Sequence, residues 1–181
     1  MGDLETEVMT EVIAECGTAH IVGPSRLADA TFLAAEAVDA GTDTVKFQLF
    51  VPDQILFCPM SGDEARWPRW QKSAMPLEAW AEVKASIEAR DKQFLVSVFQ
   101  HGGLRMAKEL GCKRIKVASR AAHTFPYRDW DGEFLVSTGM GRPQDLAFAR
   151  KVTWMQCVME YPTPLDKARW PSNGGTIGLS D

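Results

Sequence analysis

Short apolar runs that end in a polar side chain recur along this chain: Val12-Ile13-Ala14-Glu15, Val45-Lys46-Phe47-Gln48, Leu95-Val96-Ser97, Ile115-Lys116-Val117-Ala118-Ser119, Leu135-Val136-Ser137-Thr138 and Ile177-Gly178-Leu179-Ser180-Asp181. Near-continuous apolar runs of this length are the mark of strands buried on both faces. Helical spacing alternates with them. Ser25 caps a helix carrying Leu27, Ala30, Thr31, Ala34, Ala37 and Val38, which closes at Ala40-Gly41, and Pro76 opens a second with Leu77, Trp80, Val83 and Ile87. Gly102 to Leu110 reads as a short helix closed by Gly111, and Pro143 to Arg150 as another. Residues 51 to 75, with Pro52, Pro59, Gly62 and Pro68, read as an irregular excursion able to fold over the mouth of a site.

With Val152 to Val158 added, seven strand candidates alternate with helices, a pattern that demands a parallel sheet with right-handed crossovers. A doubly wound sheet and a (β/α) barrel both satisfy it. No G-x-G-x-x-G turn follows the first run, which disfavours the dinucleotide-binding version. In a barrel the polar groups at the run ends would share the edge where ligands sit.

At 181 residues, 45% apolar and 24% charged, the chain can bury one substantial core but not two typical ones, so a single domain over residues 1–181 is expected. A net charge of −4 gives no footprint for nucleic acid. Cys16, Cys58, Cys112 and Cys157 form no C-x-x-C pair, which fits reduced thiols and a cytoplasmic location. The acidic stretch Met1 to Thr10 lacks the basic-then-apolar order of a signal peptide, and no segment approaches the roughly 20 apolar residues that span a bilayer.

Lys46 and Lys116 sit inside apolar runs, and Ser97, Ser119, Ser137 with Thr138, and Ser180 end such runs. Ammonium groups beside convergent hydroxyls suit an anion bearing phosphate or carboxylate, so a small phosphorylated acid is the expected ligand. A buried lysine could alternatively serve as a Schiff-base nucleophile. His20, His101 and His123 show no metal-ligand spacing. Trp67, Trp70, Trp130 and Trp170 follow strand candidates, where packing is the first expectation and stacking on a sugar the second.

These segments resemble, in order and over nearly the whole chain, the sialic acid synthase (N-acetylneuraminate synthase) family. Ile13-Ala14-Glu15-Cys16-Gly17 with His20 is similar to its opening I-A-E-x-G-x-N-H, and Val45-Lys46-Phe47-Gln48 to its V-K-F-Q. Ile115 to Ser119 resembles K-I-x-S, Val136-Ser137-Thr138-Gly139-Met140 resembles L-S-T-G-M, and Cys157 through Tyr161-Pro162-Thr163-Pro164 resembles H-C-x-x-x-Y-P-T-P. The resemblance implies a TIM-type (β/α) barrel, here incomplete with about seven strands and without the antifreeze-like domain that often follows. It implies condensation of phosphoenolpyruvate with an N-acetylated amino sugar of the N-acetylmannosamine type, assisted by Mn²⁺ or Mg²⁺. Carried over by residue, Lys46, Ser97, Lys116, Ser119, Ser137 and Ser180 would hold phosphoenolpyruvate, and Glu15, Gln48 and Tyr161 would face the amino sugar or order the site.

Departures from the family pattern set further expectations. Gly178-Leu179-Ser180-Asp181 stops one residue short of the metal histidine in G-Y-S-D-H-T, and the eighth-strand histidine has no counterpart, so the metal ligands are missing here. Ala121 stands where a sugar-gripping glutamate is expected, with Arg120 in place of glycine. An impaired synthase truncated after its seventh strand is one reading, and a non-catalytic anion-binding or scaffold barrel the alternative. The open edge of such a barrel predicts a homo-oligomer.

Overall fold

The computed structural model describes residues 10–51, 60–143, 146–147, 149, 151–160, 163–164, 166–167 and 177–179. Seven strands are seen among them: β1 (Ile13–Gly17), β2 (Thr44–Leu49), β3 (Gln93–Val98), β4 (Arg114–Val117), β5 (Glu133–Ser137), β6 (Val152–Gln156) and β7 (Ile177–Leu179). All pair in parallel, in sequence order β1 to β7, so each crossover moves to the next strand in the same direction. The sheet curls into an incomplete TIM-type barrel, as the resemblance implies, and the doubly wound alternative falls away.

The helices are α1 (Arg26–Asp39), α2 (Asp63–Ser73), α3 (Leu77–Glu88) and α4 (His101–Glu109), with short 3-10 turns at Ala19–Ile21 and Tyr127–Asp129. Ser25 caps α1, its Oγ accepting from the Ala28 N–H at 3.3 Å, and Ala30, Ala34 and Val38 line its buried face at helical spacing. Gly41 ends α1 at φ 89° and Gly111 follows α4 at φ 66°. In both places the two residues after the cap donate back to the last turn, Gly41 to Val38 and Thr42 to Ala37, Gly111 to Lys108 and Cys112 to Ala107. A side chain at the left-handed position would strain that closure.

One expectation gives way. The 51–75 segment is not irregular throughout, because α2 forms over its second half despite Pro68; Gly62 turns the chain in at φ 91° and Asp63 and Glu64 occupy the first turn. Acidic groups there favour the positive end of the helix, and tertiary contacts offset the hydrogen bond that Pro68 cannot donate. Of the expected Pro143–Arg150 helix, residues 144–145, 148 and 150 lie outside the described residues, and within the rest the Ala149 N–H donates to the Leu146 C=O at 3.0 Å.

Strand side chains divide between two cores with period 2. Val45, Phe47, Leu49, Phe94, Val96, Val98, Ile115, Val117, Phe134 and Val136 pack outward against Trp80, Val83, Ile87 and the buried face of α1. Ile13, Leu95, Leu135 and Met155 form a separate apolar layer on the inner face, the filling expected of a small barrel. Below that layer Arg114 donates to Glu11 Oε2 at 2.8 Å, Gln93 Oε1 at 3.1 Å and Thr44 Oγ1 at 3.3 Å, closing the floor with a polar network. The same guanidinium holds the Glu11 carboxyl below the usual range. The C-terminal ends of the strands form the opposite rim.

Candidate functional site

Strand register brings most of the expected residues to that rim. Lys46 is flanked by Glu15 on β1 and Leu95 on β3; Gln48 lies beside Ser97, and Ser97 in turn beside Lys116. The Lys46 Nζ contacts the Glu15 carboxylate and lies 3.4 Å from Ser97 Oγ. Lys116 Nζ donates to Ser137 Oγ at 2.8 Å. Ser119 Oγ accepts from the Gly139 N–H at 3.0 Å and meets Cys157 Sγ at 3.0 Å. A Cβ on Gly139 would lie 2.9 Å from that sulfur and 2.8 Å from Met159, so the approach of its N–H requires glycine.

Lys46, Ser97, Lys116, Ser119 and Ser137 are all buried, whereas Gln48 is half-buried and Glu15 is exposed. Burial, reinforced by the charge of Lys116, brings the Lys46 amine down to about 6. The Glu15 carboxylate opposes that shift. Burial brings Lys116 down to about 8, while the nearby Cys157 pulls the other way. Two lysines inside the rim thus face one contacting carboxylate among the described residues, and an anion would favour their charged forms. Tyr161 and Ser180, also expected here, lie outside the described residues.

Sequence reasoning did not find the partners of this set. Cys157 stood only within a motif, yet it braces Ser119 across the rim. Arg120 makes an ion pair with Asp63 of α2 and sits over the Trp70 ring at 5.5 Å, and Phe50 stacks between Trp70 at 5.0 Å and Phe99 at 4.9 Å. Asp63 and Trp70 are buried, and Arg69 Nε donates to Thr18 Oγ1 at 2.9 Å, so α2 is fixed against the rim. Buried Trp70, Trp80 and Trp130 serve packing; Trp170 lies outside the described residues.

The histidines do not converge. His20 is fully buried with Nε2 2.8 Å from the Ser73 carbonyl and its ring edge-on to Phe47 and Trp80, and burial holds its pKa below the usual value. His123 Nε2 is 2.9 Å from the Met140 carbonyl. Among the described residues no three His, Cys, Asp or Glu side chains cluster. The described residues thus bring together no ligand set for the divalent metal that the resemblance implies, and the end of the seventh-strand motif, Ser180-Asp181, lies outside them.

The NeuB family model matches residues 33–171, most of the barrel and every rim strand from β2 to β6. The chain belongs to the NeuB family. An N,N'-diacetyllegionaminic acid synthase of Campylobacter jejuni subsp. jejuni is 26% identical over 183 residues, which cover 87% of this NeuB-family chain and 54% of that protein. A spore coat polysaccharide biosynthesis protein E, so assigned in Chromobacterium violaceum, has a solved structure that matches with a TM-score of 0.69 at 21% identity, over 85% of this chain and 51% of that one. The N-acetylneuraminic acid (sialic acid) synthetase of Leptospira borgpetersenii serovar Hardjo-bovis, solved with citrate, matches with a TM-score of 0.60 at 20% identity, over 87% of this chain and 57% of that one. These solved structures share the barrel fold. The chain spans about half the length of the relatives it matches. Among its described residues no helix is long and apolar enough to cross a membrane.

Proposed function

We propose that the rim binds phosphoenolpyruvate as the donor half of a synthase site, one that joins it to an N-acetylated amino sugar to give a sialic acid-like nonulosonate in the cytoplasm. The observation that carries this reading is the pair of buried lysines, Lys46 and Lys116, on adjacent layers of the inner face with Ser97, Ser137 and Ser119 beside them. Ammonium and hydroxyl donors preorganised in a low-dielectric rim stabilise a carboxylate and a phosphate together. In the proposed reaction C3 of phosphoenolpyruvate attacks the open-chain sugar aldehyde, water adds at C2 and phosphate leaves. Lys46 and Lys116 hold the charge of the donor and of the departing phosphate, and Glu15, exposed at the mouth, meets the acceptor.

A second reading, anion binding without condensation, is favoured by the acceptor side. Arg120 is turned onto Asp63 and Trp70, and Ala121 is buried with no polar group to offer a sugar. Calorimetric titration of phosphoenolpyruvate with and without Mn²⁺, with Lys116→Ala as control, tests both. Binding lost in Lys116→Ala supports the rim assignment. Dependence on Mn²⁺ favours the synthase, independence the simple anion site, and no binding in either condition overturns both. Self-association along the open edges of the sheet is part of the same proposal.

A further inference from the structure

Lys46 is placed as a nucleophile as well as an anion contact. Its side chain is 6% exposed and ends between the Glu15 carboxylate and the Ser97 hydroxyl, above the apolar layer of Ile13, Leu95, Leu135 and Met155. Glu15 is 51% exposed, so the amine is approached from solvent past a carboxylate able to carry protons. Lys116 and Ser137, on β4 and β5 beyond β3, stand ready along the same rim to take a charged group. An amine in an apolar setting, a second cation close by and an acid–base group in contact are what covalent catalysis by lysine requires.

We propose that the Lys46 amine forms an imine with a small 2-oxo acid whose carboxylate is held by Lys116 and Ser137. The assignment rests on the anion-binding reading of the rim and adds a covalent step to it. Nζ attacks the ketone carbon, making the C–N bond, and one N–H proton passes through Glu15 to the former carbonyl oxygen, giving the carbinolamine. The hydroxyl takes a second proton, supplied by solvent, and leaves as water, so the protonated imine forms with one proton consumed and one water released. Loss of a C3 proton to Glu15 then gives the enamine, a carbon nucleophile at the position where phosphoenolpyruvate would also react. Neither oxidant nor reductant is needed.

The charged and titratable groups facing Lys46 are Glu15 from β1 and Lys116 from β4, with Cys157 beyond β6 facing Lys116 in turn. Burial and the charge of Lys116 lower the Lys46 amine, which favours its nucleophilic form, and the contacting Glu15 carboxylate is the group placed to accept its proton.

The test is incubation of the intact chain with pyruvate and sodium cyanoborohydride at neutral pH, followed by intact mass and peptide mapping. The expected result is one reduced adduct per chain, on Lys46, in more than about tenfold excess over exposed Lys151 and Lys167. Mapping the unmodified sequence makes the result independent of whether Lys46→Arg folds. No adduct, or labelling spread over surface lysines or placed on Lys116, overturns the imine. Phosphoenolpyruvate has no ketone and cannot form one, so its titration fails separately. Binding of phosphoenolpyruvate without a Lys46 adduct removes the imine and leaves the anion site standing, whereas loss of both removes the anion site as well.

Discussion

Lys46 and Lys116 are the residues whose behaviour distinguishes an anion site from a relic. Burial lowers both amines below the usual lysine range, Lys46 to about 6 and Lys116 to about 8. A bound phosphate favours the charged forms and raises both values, so the complex holds more protons than the free protein. Binding must then take protons up from solvent, and affinity must fall as pH rises from about 6, the lowered Lys46 value, toward the ordinary lysine range near about 10. Phosphoenolpyruvate titrations at pH 8 in buffers of different ionisation enthalpy are expected to show net uptake, reduced in Lys46→Met. Proton release, or none, would mean that the lysines stay neutral and the ligand sits elsewhere. These two residues were legible from the sequence because a lysine within an apolar strand has few bland explanations. The bracing of Ser119 by Cys157 was not legible, since it joins residues 38 apart that only the curl of the sheet brings together.

At the scale of elements, strands were easier to read than the coverings of the rim. β2 runs from Thr44 to Leu49 as its apolar pattern predicts, and α1 starts at its serine cap and stops before its glycine. Each of those signals is local. α2 was missed because Pro68 and a polar surface hide it, and what holds it is distant: Arg120, Thr18 and Phe50 all reach it from other parts of the chain. That attachment is testable. Asp63 is 6% exposed and one of its carboxyl oxygens, Oδ1, is buried without a hydrogen-bond partner. Removing Arg120 leaves the buried Asp63 carboxylate with the Met60 N–H, at 2.7 Å, and the helix N-terminus but without its cation, which costs up to about 3 kcal/mol. Arg120→Ala is therefore expected to lower stability by about that much in urea unfolding and to speed amide exchange in α2 ahead of β2 and β3. Exchange that rises uniformly across the sheet would show that α2 is held by its apolar contacts and the ion pair is incidental.

For the whole molecule the decisive feature is a parallel sheet with two edges. Among the described residues β1 pairs with β2 alone and β7 with β6 alone, so neither outer strand is hydrogen-bonded on its far side within the described chain. Unpaired strand edges attract further strands unless charge, a bulge or brevity prevents it. β1 has a register shift between Glu15 and Gly17 and β7 is three residues long, both of which weaken pairing. Against this, Val12 next to β1 is 53% exposed and Leu179 in β7 is 40% exposed, an apolar invitation at each edge. Sedimentation velocity over a range of concentrations is expected to show reversible self-association. Val12→Lys should shift it toward monomer without lowering the melting temperature, because the side chain is largely exposed and the backbone bonds of Val12 to Asp43 and Thr44 do not involve it. A charge there opposes edge pairing by repulsion rather than by unfolding. A monomer at every concentration would mean that bulge and brevity are protection enough, and that the rim of each chain must work within its own barrel.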